Sequence, residues 1–314
     1  MTYDAIIVGA GAAGLTAGLY AARRNLKTLI LSKDIGGQTA VATEIENYPG
    51  VPDEPNGLLL MQKFRQQAES FGAVIQSGEV KSIKPQNNVF IVKTHKTNHK
   101  TKTVILAFGL IPRKLGVPGE KKFTGKGVVY CATCDGPLFR NKIVAVAGGG
   151  NSGLDAADFL AGIAKQVYLI HRRDKFRAEA VLQKKIQRAK NVKIILNSAI
   201  KKINGKDKVE SIIVAETKKG SSQEIKVDGV FVEIGYEAKT DWLEGLIKLN
   251  EKNEIVTDEN CQTNVPGIFA AGDVTDAPYK QIVISAGEGA KAALQAYGYI
   301  QHKGGTKEEP DWGR

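Results

Sequence analysis

Short apolar runs alternate with glycine-rich turns and longer mixed segments near the start of the chain and again near its middle. An apolar run bounded by glycine predicts a buried strand, and the longer segment after each turn predicts a helix. The order strand, turn, helix, strand occurs twice, and the interval from Gly9 to Gly148 equals that from Ser32 to His171. The predicted strands are residues 4–8, 28–31, 142–147 and 166–170, and the predicted helices end near Arg24 and Ile163.

The turn in each copy carries glycines at the spacing G-x-G-x-x-G. The first glycine makes a tight turn, the second lets a pyrophosphate approach the backbone, and the third lets the helix pack on the strand. Because the motif occurs twice in register, we expect two dinucleotide-binding units, with purely structural strand–helix units as the alternative. The candidate residues are Gly9, Gly11, Ala12, Ala13 and Gly14 in the first turn, and Gly148, Gly150, Asn151, Ser152 and Gly153 in the second.

The residues after the second strand of each copy differ in charge. A free ribose 2′-hydroxyl favours an acidic residue there, whereas a 2′-phosphate favours arginine. The second copy continues as His171-Arg172-Arg173, with Arg177 close behind, which predicts NADPH rather than NADH; a solvated basic turn is the alternative. The first copy has Ser32 at this point, so a flavin nucleotide there must rest on other features.

Two other segments favour a flavin in the first copy. Residues 268–273 form a predicted buried strand that ends in Gly272-Asp273, and a helix-like run over about 280–300 follows. A carboxylate at a strand tip can accept hydrogen bonds from a ribityl chain, and a helix N-terminus can stabilise negative charge on a reduced flavin ring. We expect the polar segment 36–50 to line the cofactor, with a plain surface loop as the alternative. The candidates in that segment are Gly36, Gly37, Gln38 and Asn47.

Cys131 and Cys134 form a C-x-x-C motif directly before the second copy. This spacing lets two thiols close a small disulfide ring, and such motifs lower the thiol pKa. Half of a zinc site is the alternative, but structural zinc needs four ligands, and only Cys261 and scattered histidines remain. Asp135 follows the second thiol and is a candidate proton donor, with a turn-capping role as the alternative.

The composition is that of an ordinary globular protein large enough for two domains. The chain has 314 residues, 42% of them hydrophobic, and a net charge of +11. This charge suits a nucleic acid, a membrane surface or an acidic protein as partner. The alternative is a basic surface that is only solvated.

The few cysteines favour a reducing compartment, and no basic segment precedes the first apolar run, so we expect a cytoplasmic protein without a signal peptide. Glycines within residues 5–22 argue against a membrane span.

These motifs resemble those of the low-molecular-weight thioredoxin reductases, from Tyr3 to about Ile300. The resemblance rests on the following segments: GAGAAG at 9–14, GGQ at 36–38, ENYPG at 46–50, CATCDG at 131–136, GGGNSGLDAA at 148–157, HRRDKFRA at 171–178, PGIFAAGDV at 266–274 and SAGEGAKAA at 285–293.

The resemblance implies an α/β fold with two Rossmann-like dinucleotide-binding domains, the second inserted into the first. The FAD domain would comprise residues 1–112 and 245–314, and the NADPH domain, which carries the C-x-x-C, residues 113–244. Electrons would pass from NADPH through FAD and a Cys131–Cys134 disulfide to thioredoxin. The resemblance also implies a homodimer, and a domain rotation that presents the cysteine pair alternately to flavin and to thioredoxin. It adds Gly109, Lys280, Gln281 and Ile282 to the expected FAD contacts.

Three segments depart from the family pattern: Phe108 replaces a usual threonine, residues 237–240 replace a frequent Pro-Asn pair, and Lys280 replaces a common arginine. We expect the polar tail with Trp312 to be disordered, and folding back over a cofactor is the alternative.

One rival function is reduction of another small disulfide protein. The other is a basic nucleic-acid-binding protein with a nucleotide-sensing fold, which would leave the cysteine pair unexplained. The expected partners therefore include no nucleic acid, membrane or metal.

Overall fold

The chain folds into two compact units. The computed structural model describes residues 1–42, 45, 47–51, 56–217, 220–243 and 245–303. One unit comprises Met1–Ile111 with Ala238–Arg314, and the other comprises Pro112–Glu237. The second unit is therefore inserted in sequence between the two parts of the first. Glu46 of the ENYPG segment and Trp312 of the tail lie outside the described residues.

Strands and helices alternate along much of the described chain, as expected of an α/β protein. The strands are β1 (Thr2–Val8), β2 (Thr28–Ser32), β3 (Val74–Ser77), β4 (Val80–Gln86), β5 (Val89–Thr94), β6 (Asn98–Leu106), β7 (Ile111–Pro112), β8 (Val128–Val129), β9 (Ile143–Ala147), β10 (Gln166–Ile170), β11 (Val192–Ile195), β12 (Ser198–Asn204), β13 (Ser211–Glu216), β14 (Ser222–Lys226), β15 (Gly229–Val232), β16 (Tyr236–Glu237) and β17 (Ile268–Ala270). The helices are α1 (Ala12–Arg23), α2 (Gly37–Ala40), α3 (Gly57–Ser70), α4 (Glu120–Phe123), α5 (Ala132–Asp135), α6 (Asn151–Ala161), α7 (Ala180–Arg188) and α8 (Ile282–Lys303), with short 3₁₀ helices at Gly136–Phe139 and Asp241–Leu243.

The first unit is built on one large sheet. Among the described residues its order is β3-β2-β1-β6-β5-β4, with β17 also paired to β6. Strands β3, β2, β1, β6 and β17 run parallel, whereas β4, β5 and β6 form antiparallel hairpins. The parallel strands are covered on both faces, so Ile6, Ile7 and Ile105 are fully buried. Because these strands share one direction, their carboxyl ends meet at one edge, which is where open α/β sheets bind ligands.

Small side chains let α8 pack closely against α1 in the first unit. Ala13 of α1 and Ala292, Ala293 and Ala296 of α8 belong to the same buried cluster. A Cβ at Gly289 would overlap the carbonyl oxygen of Ala13, so the two helices approach more closely there than a larger residue permits. This packing holds the start of α8 beside the first glycine turn.

The second unit is built on a smaller, fully parallel sheet. Among the described residues its order is β11-β10-β9-β15-β8, and a separate antiparallel sheet has the order β12-β13-β14. Val144, Val146, Leu154 and Phe231 are fully buried and pack α6 on the sheet. Among the described residues, no helix is both long and apolar enough to cross a bilayer.

The predicted α/β elements are confirmed, with differences at their ends. Residues 166–170 form β10 as predicted, whereas α1 ends at Arg23 and α6 at Ala161, each slightly earlier than expected. The expected boundary between residues 244 and 245 lies several residues beyond Ala238, where the first unit resumes. The physical reason is packing, because Ala238 and Leu243 are buried in the core of the first unit.

Candidate functional site

A cavity of about 270 Å³ opens in the first unit at the carboxyl ends of β1, β2 and β6. Most of the FAD-binding residues expected from the sequence line it, and the structure brings them together from four separate segments. They are Gly9, Gly11, Ala12, Ala13, Ser32, Gly36, Gly37, Gln38, Gly109, Gly272 and Asp273. The cavity is also lined by Lys33, Asp34, Glu79, Phe108, Lys239, Trp242 and Ser285.

The first glycine turn is shaped by close backbone contacts. A Cβ at Gly9 would overlap the carbonyl oxygen of Ala107, and one at Gly14 would overlap the carbonyl oxygen of Gly9. Gly9 also has a φ of +108°, a conformation that other L-residues rarely adopt. Gly14 packs behind the turn rather than lining the cavity, and it lets α1 start directly against the turn. The helix N-terminus is thereby aimed at the site.

Asp273 and Ser285 form one wall of this cavity. The Ser285 hydroxyl donates a 3.1 Å hydrogen bond to Oδ1 of Asp273, and burial raises the pKa of the Asp273 carboxyl. The backbone N–H of Gly272 donates a 2.7 Å hydrogen bond to Oε2 of Glu288, whose pKa burial also raises. Asp273 thus supplies the carboxylate predicted at the strand tip, and Ser285 of α8 holds it by a hydrogen bond.

The opposite wall lies beyond the tip of β2 and was not foreseen from the sequence. The Gly78 N–H donates a 2.9 Å hydrogen bond to the carbonyl oxygen of Ser32, so the β3–β4 connection crosses the end of β2. Glu79 of this connection lines the cavity. Its carboxylate contacts Lys33 Nζ at 2.5 Å and Lys81 Nζ at 2.6 Å, and these lysines lower its pKa to about 2.

Two of the departures from the family pattern meet in the cavity wall. Phe108 follows β6, and Trp242 and Lys239 follow the point where the chain returns to the first unit. The Phe108 and Trp242 rings pack edge to face with their centroids 5.3 Å apart. The sequence carries a signal for this part of the cavity wall. Phe108 and the segment 237–240, which contains Lys239, are both departures from the family pattern.

Four other predicted FAD residues do not line the cavity. The Asn47 amide donates a 3.0 Å hydrogen bond to Oε1 of Gln281, and the Lys280 ammonium donates a 2.5 Å hydrogen bond to the carbonyl oxygen of Thr275. Ile282 is the first residue of α8. These contacts place Asn47, Lys280, Gln281 and Ile282 near the start of α8.

The cavity fits the dinucleotide that the sequence predicts for it. A Cβ at Gly11 would point toward the carbonyl oxygen of Gly36, 3.9 Å away, and one at Gly37 would lie 3.7 Å from the Gly11 Cα. Because both positions lack side chains, backbone from two segments borders the same space, as a bound pyrophosphate requires. FAD would be held by this cradle, and the Asp273 carboxylate is the acceptor available for its ribityl chain.

The second glycine turn follows β9 and repeats the first in the second unit. A Cβ at Gly148 would overlap the carbonyl oxygen of Glu233, and one at Gly153 would lie 2.8 Å from the carbonyl carbon of Gly148. Near Gly150, by contrast, no described atom lies within 4 Å of an added Cβ, so the second glycine of this motif faces open space. Asn151, the first residue of α6, exchanges hydrogen bonds of 2.9 and 3.1 Å with Glu179, which fixes the start of the helix.

The basic segment after β10 lies against the second glycine turn. His171 is buried, and its ring would overlap a Cβ at Gly149, so the turn packs directly on the histidine. The Arg177 N–H donates a 2.8 Å hydrogen bond to the carbonyl oxygen of Gly149. Arg172, Arg173 and Arg177 are exposed. Burial lowers the pKa of His171, and the positive charges of Arg177, Arg173 and Arg172 lower it further. This arrangement fits the 2′-phosphate of NADPH.

The cysteine motif lies in the second unit, two residues after β8. Cys131 is disulfide-bonded, Cys134 belongs to α5, and the Cys134 side chain lies outside the described part of the structure. The Asp135 N–H donates a 3.2 Å hydrogen bond to the carbonyl oxygen of Cys131, and burial raises the pKa of the Asp135 carboxyl.

A second carboxyl group reaches the same segment from the end of β15. The carboxylate of Glu233 accepts a hydrogen bond from the Ala132 N–H, and burial raises the pKa of Glu233 to about 7. Asp155 of α6 adds a negative charge that acts in the same direction. Sequence reasoning did not single out Glu233, because no local motif contains it.

Cys261 is separate from this chemistry. Its side chain is buried and carries a free thiol, whose pKa burial raises to about 11. In the part of the chain that the structure describes, no group of three or more His, Cys, Asp or Glu side chains is arranged to hold a metal ion.

The chain is similar to known proteins along most of its length. Residues 3–294 match the family model described as pyridine nucleotide-disulphide oxidoreductase. The chain is 41% identical over 302 residues to the thioredoxin reductase of Treponema pallidum, covering 95% of this chain and 97% of that protein. It is also 41% identical over 303 residues to one subunit of the alkyl hydroperoxide reductase of Pseudomonas putida, with 95% of this chain covered, but it spans only 58% of that relative. The crystal structure of Lactococcus lactis thioredoxin reductase matches at a TM-score of 0.85 and 36% identity, covering 96% of this chain and 99% of that one.

Proposed function

The chain belongs to the pyridine nucleotide-disulphide oxidoreductase family, and we propose that it is a thioredoxin-disulfide reductase that uses NADPH and FAD. The observation that carries this proposal is the disulfide at Cys131. It lies in the same unit as the second glycine turn and the arginines that follow β10. The coverage of the relatives supports thioredoxin as substrate, since the chain spans 97% of the thioredoxin reductase of Treponema pallidum and only 58% of the alkyl hydroperoxide reductase relative.

The two glycine turns bind different dinucleotides in this proposal. When bound, NADPH supplies a hydride and FAD carries its two electrons toward the disulfide. The turn at Gly148–Gly153 and the N-terminus of α6 hold the NADPH pyrophosphate, and Arg172, Arg173 and Arg177 hold its 2′-phosphate. The turn at Gly9–Gly14 holds the FAD pyrophosphate, and Asp273 accepts hydrogen bonds from its ribityl chain. The FAD domain is then residues 1–111 with 238–314, inside which the NADPH domain is inserted.

The cysteine pair passes the electrons on by disulfide exchange. Two electrons break the Cys131–Cys134 bond, and Asp135, whose raised pKa suits a proton donor, protonates one sulfur. The other sulfur remains a thiolate and attacks the partner's disulfide, so that a mixed disulfide forms and a partner thiolate leaves. The remaining cysteine gives its proton to that thiolate and attacks the mixed disulfide. This re-forms the enzyme disulfide and releases the second partner sulfur, which takes a proton from solvent. Asp135 regains its own proton from solvent, so the cycle can repeat.

The direct test is NADPH oxidation in the presence of a panel of oxidised disulfide proteins. We expect turnover with thioredoxin and none without a disulfide substrate. Turnover with a glutaredoxin-like protein and none with thioredoxin would assign the activity to another small disulfide protein. A purified protein that binds nucleic acid and no flavin would overturn the proposal altogether.

A homodimer and a cytoplasmic location complete the proposal. Both rest on the resemblance and on the similarity to thioredoxin reductases of matching length. Light scattering measures the oligomeric state, and a mass equal to one chain would remove the dimer from the proposal.

A further inference from the structure

The first dinucleotide turn lacks the acidic residue that its adenosine ribose calls for. In such folds a carboxylate at the tip of the second strand accepts a hydrogen bond from the ribose 2′-hydroxyl. Here β2 ends at Ser32, whose hydroxyl group carries no charge. A ribose bound beside this strand therefore needs a carboxylate from elsewhere in the chain.

The structure supplies one carboxylate from the neighbouring connection. Strands β2 and β3 pair in parallel with Ser32 opposite Ser77, and the Gly78 N–H donates a 2.9 Å hydrogen bond to the Ser32 carbonyl oxygen. This register places Glu79 directly beyond the tip of β2, where it lines the same cavity as Ser32. The position of Glu79 thus follows from the sheet order β3-β2-β1, and no spacing in the sequence indicates it.

The Glu79 carboxylate is already held in place. Its Oε1 contacts Lys33 Nζ at 2.5 Å and its Oε2 contacts Lys81 Nζ at 2.6 Å, with His95 Nε2 at 3.5 Å from Oε2. Both lysines lower its pKa to about 2, so the group is an anion throughout the neutral range. A carboxylate oxygen has two acceptor sites, so Oε1 can accept a further hydrogen bond while it stays in contact with Lys33.

We propose that Glu79 is the carboxylate that binds the adenosine ribose of FAD, in place of an acidic residue at the tip of β2. This inference rests on the proposed assignment of the cavity to FAD. The rival within the same cavity is Asp34, an exposed carboxylate two residues beyond Ser32. Glu79 is fixed by two lysines, so it loses little conformational freedom when it binds a hydroxyl group.

The test measures flavin affinity rather than activity. Apo-protein is titrated with FAD and with FMN, which lacks adenosine, and binding is followed by the change in flavin fluorescence. Glu79→Gln should raise the Kd for FAD about tenfold, the low end for a hydrogen bond to a charged group, and leave the Kd for FMN nearly unchanged. Glu69→Gln is the matched control and should change neither Kd, because Glu69 is an exposed glutamate that bonds Arg65 on α3.

A second ligand identifies the hydroxyl group involved. An FAD analogue without the 2′-hydroxyl of the adenosine ribose should bind the unmodified protein about tenfold more weakly than FAD does. Glu79→Gln should bind the analogue and FAD equally, because the same interaction is already lost.

Three results would overturn the inference: an unchanged Kd for FAD in Glu79→Gln, an equal loss of FMN affinity, or a loss in Asp34→Asn instead. The failure of the proposed function has a different signature. An unmodified protein that binds FAD through Glu79 but reduces no disulfide would overturn the proposed function and leave this inference standing.

Discussion

Phe108 and Trp242 pack edge to face in the wall of the first cavity, with ring centroids 5.3 Å apart and an angle of 60° between their planes. They come from distant segments, one after β6 and one after the chain returns to the first unit. An aromatic pair of this kind contributes about 0.5–1.5 kcal/mol beyond the area it buries. The contact therefore ties the returning segment to the cavity.

Phe108→Thr, which introduces the residue usual in the family, should lower the free energy of unfolding by about 1 kcal/mol. Denaturant unfolding measures this change. In a Trp312→Phe background, the Trp242 emission should also shift to longer wavelength, because water reaches the indole. Phe71→Thr alters an exposed ring of the same unit and should leave that emission unchanged. An unshifted spectrum in Phe108→Thr would contradict the assigned role.

Cys131→Ser should abolish reduction of disulfide substrates and leave reduction of the flavin by NADPH intact. The reason is that both glycine turns lie outside the C-x-x-C motif. Stopped-flow bleaching of the flavin measures the first half of the reaction, and thioredoxin reduction measures the second. Cys261→Ser is the control and should change neither, because that thiol is buried and free. Loss of bleaching in Cys131→Ser would show that the proposed electron path is wrong.

Replacing Arg172 and Arg173 together with Ala should raise the apparent constant for NADPH on the order of a hundredfold, since each charged hydrogen bond contributes about 1.5 kcal/mol at exposed positions. The constant for NADH should hardly change, because NADH lacks the 2′-phosphate. Steady-state kinetics with both coenzymes measures the effect, and Arg188→Ala provides an exposed arginine as control. A double variant that still prefers NADPH would contradict the assignment.

The Glu233 carboxyl should make stability depend on pH. Its pKa is about 7 in the folded protein against 4.5 when unperturbed, so the native state binds more protons than the unfolded state between these values. The free energy of unfolding therefore falls as pH rises from about 4.5 to 7, and then levels off.

Glu233→Gln should remove this loss, which is on the order of 1–2 kcal/mol after a discount for solvent at the partly exposed side chain. Urea unfolding at a series of pH values measures it. The neighbouring Asp155 and Tyr236 stay in place, and Glu210→Gln supplies an exposed glutamate of the same unit as control. A variant with the same pH dependence as the unmodified protein would contradict the prediction.

The glycine turns and their flanking elements could be predicted because their requirements are local. Gly9 and Gly148 each lie against a carbonyl oxygen where no side chain fits, and the motif itself reflects that requirement. The position of β10 was predicted from its own short apolar run, which follows the helix after the turn. The observed ends of α1 and α6 come slightly before the predicted ones, because helices end where packing ends.

Glu79 and Glu233 could not be predicted, because the position of each depends on pairing between strands that are far apart in the sequence. Glu79 reaches the cavity only because β3 pairs with β2, and Glu233 reaches the cysteine segment only because β15 lies beside β8 and β9. The return point at Ala238 was also missed, since its burial depends on the core formed with Ile255 and Val274. Sequence spacing carries no information about these neighbours.

The buried Cys261 makes thiol counting in the native protein simple. An alkylating reagent reacts with thiolates, and burial keeps this thiol protonated and covered. Mass tags added to the folded protein would then report only the C-x-x-C pair, as two tags when it is reduced and none when it is oxidised. Equilibration with dithiol buffers of known potential would give the midpoint potential of that pair from the ratio of two mass peaks, without any substitution in the chain.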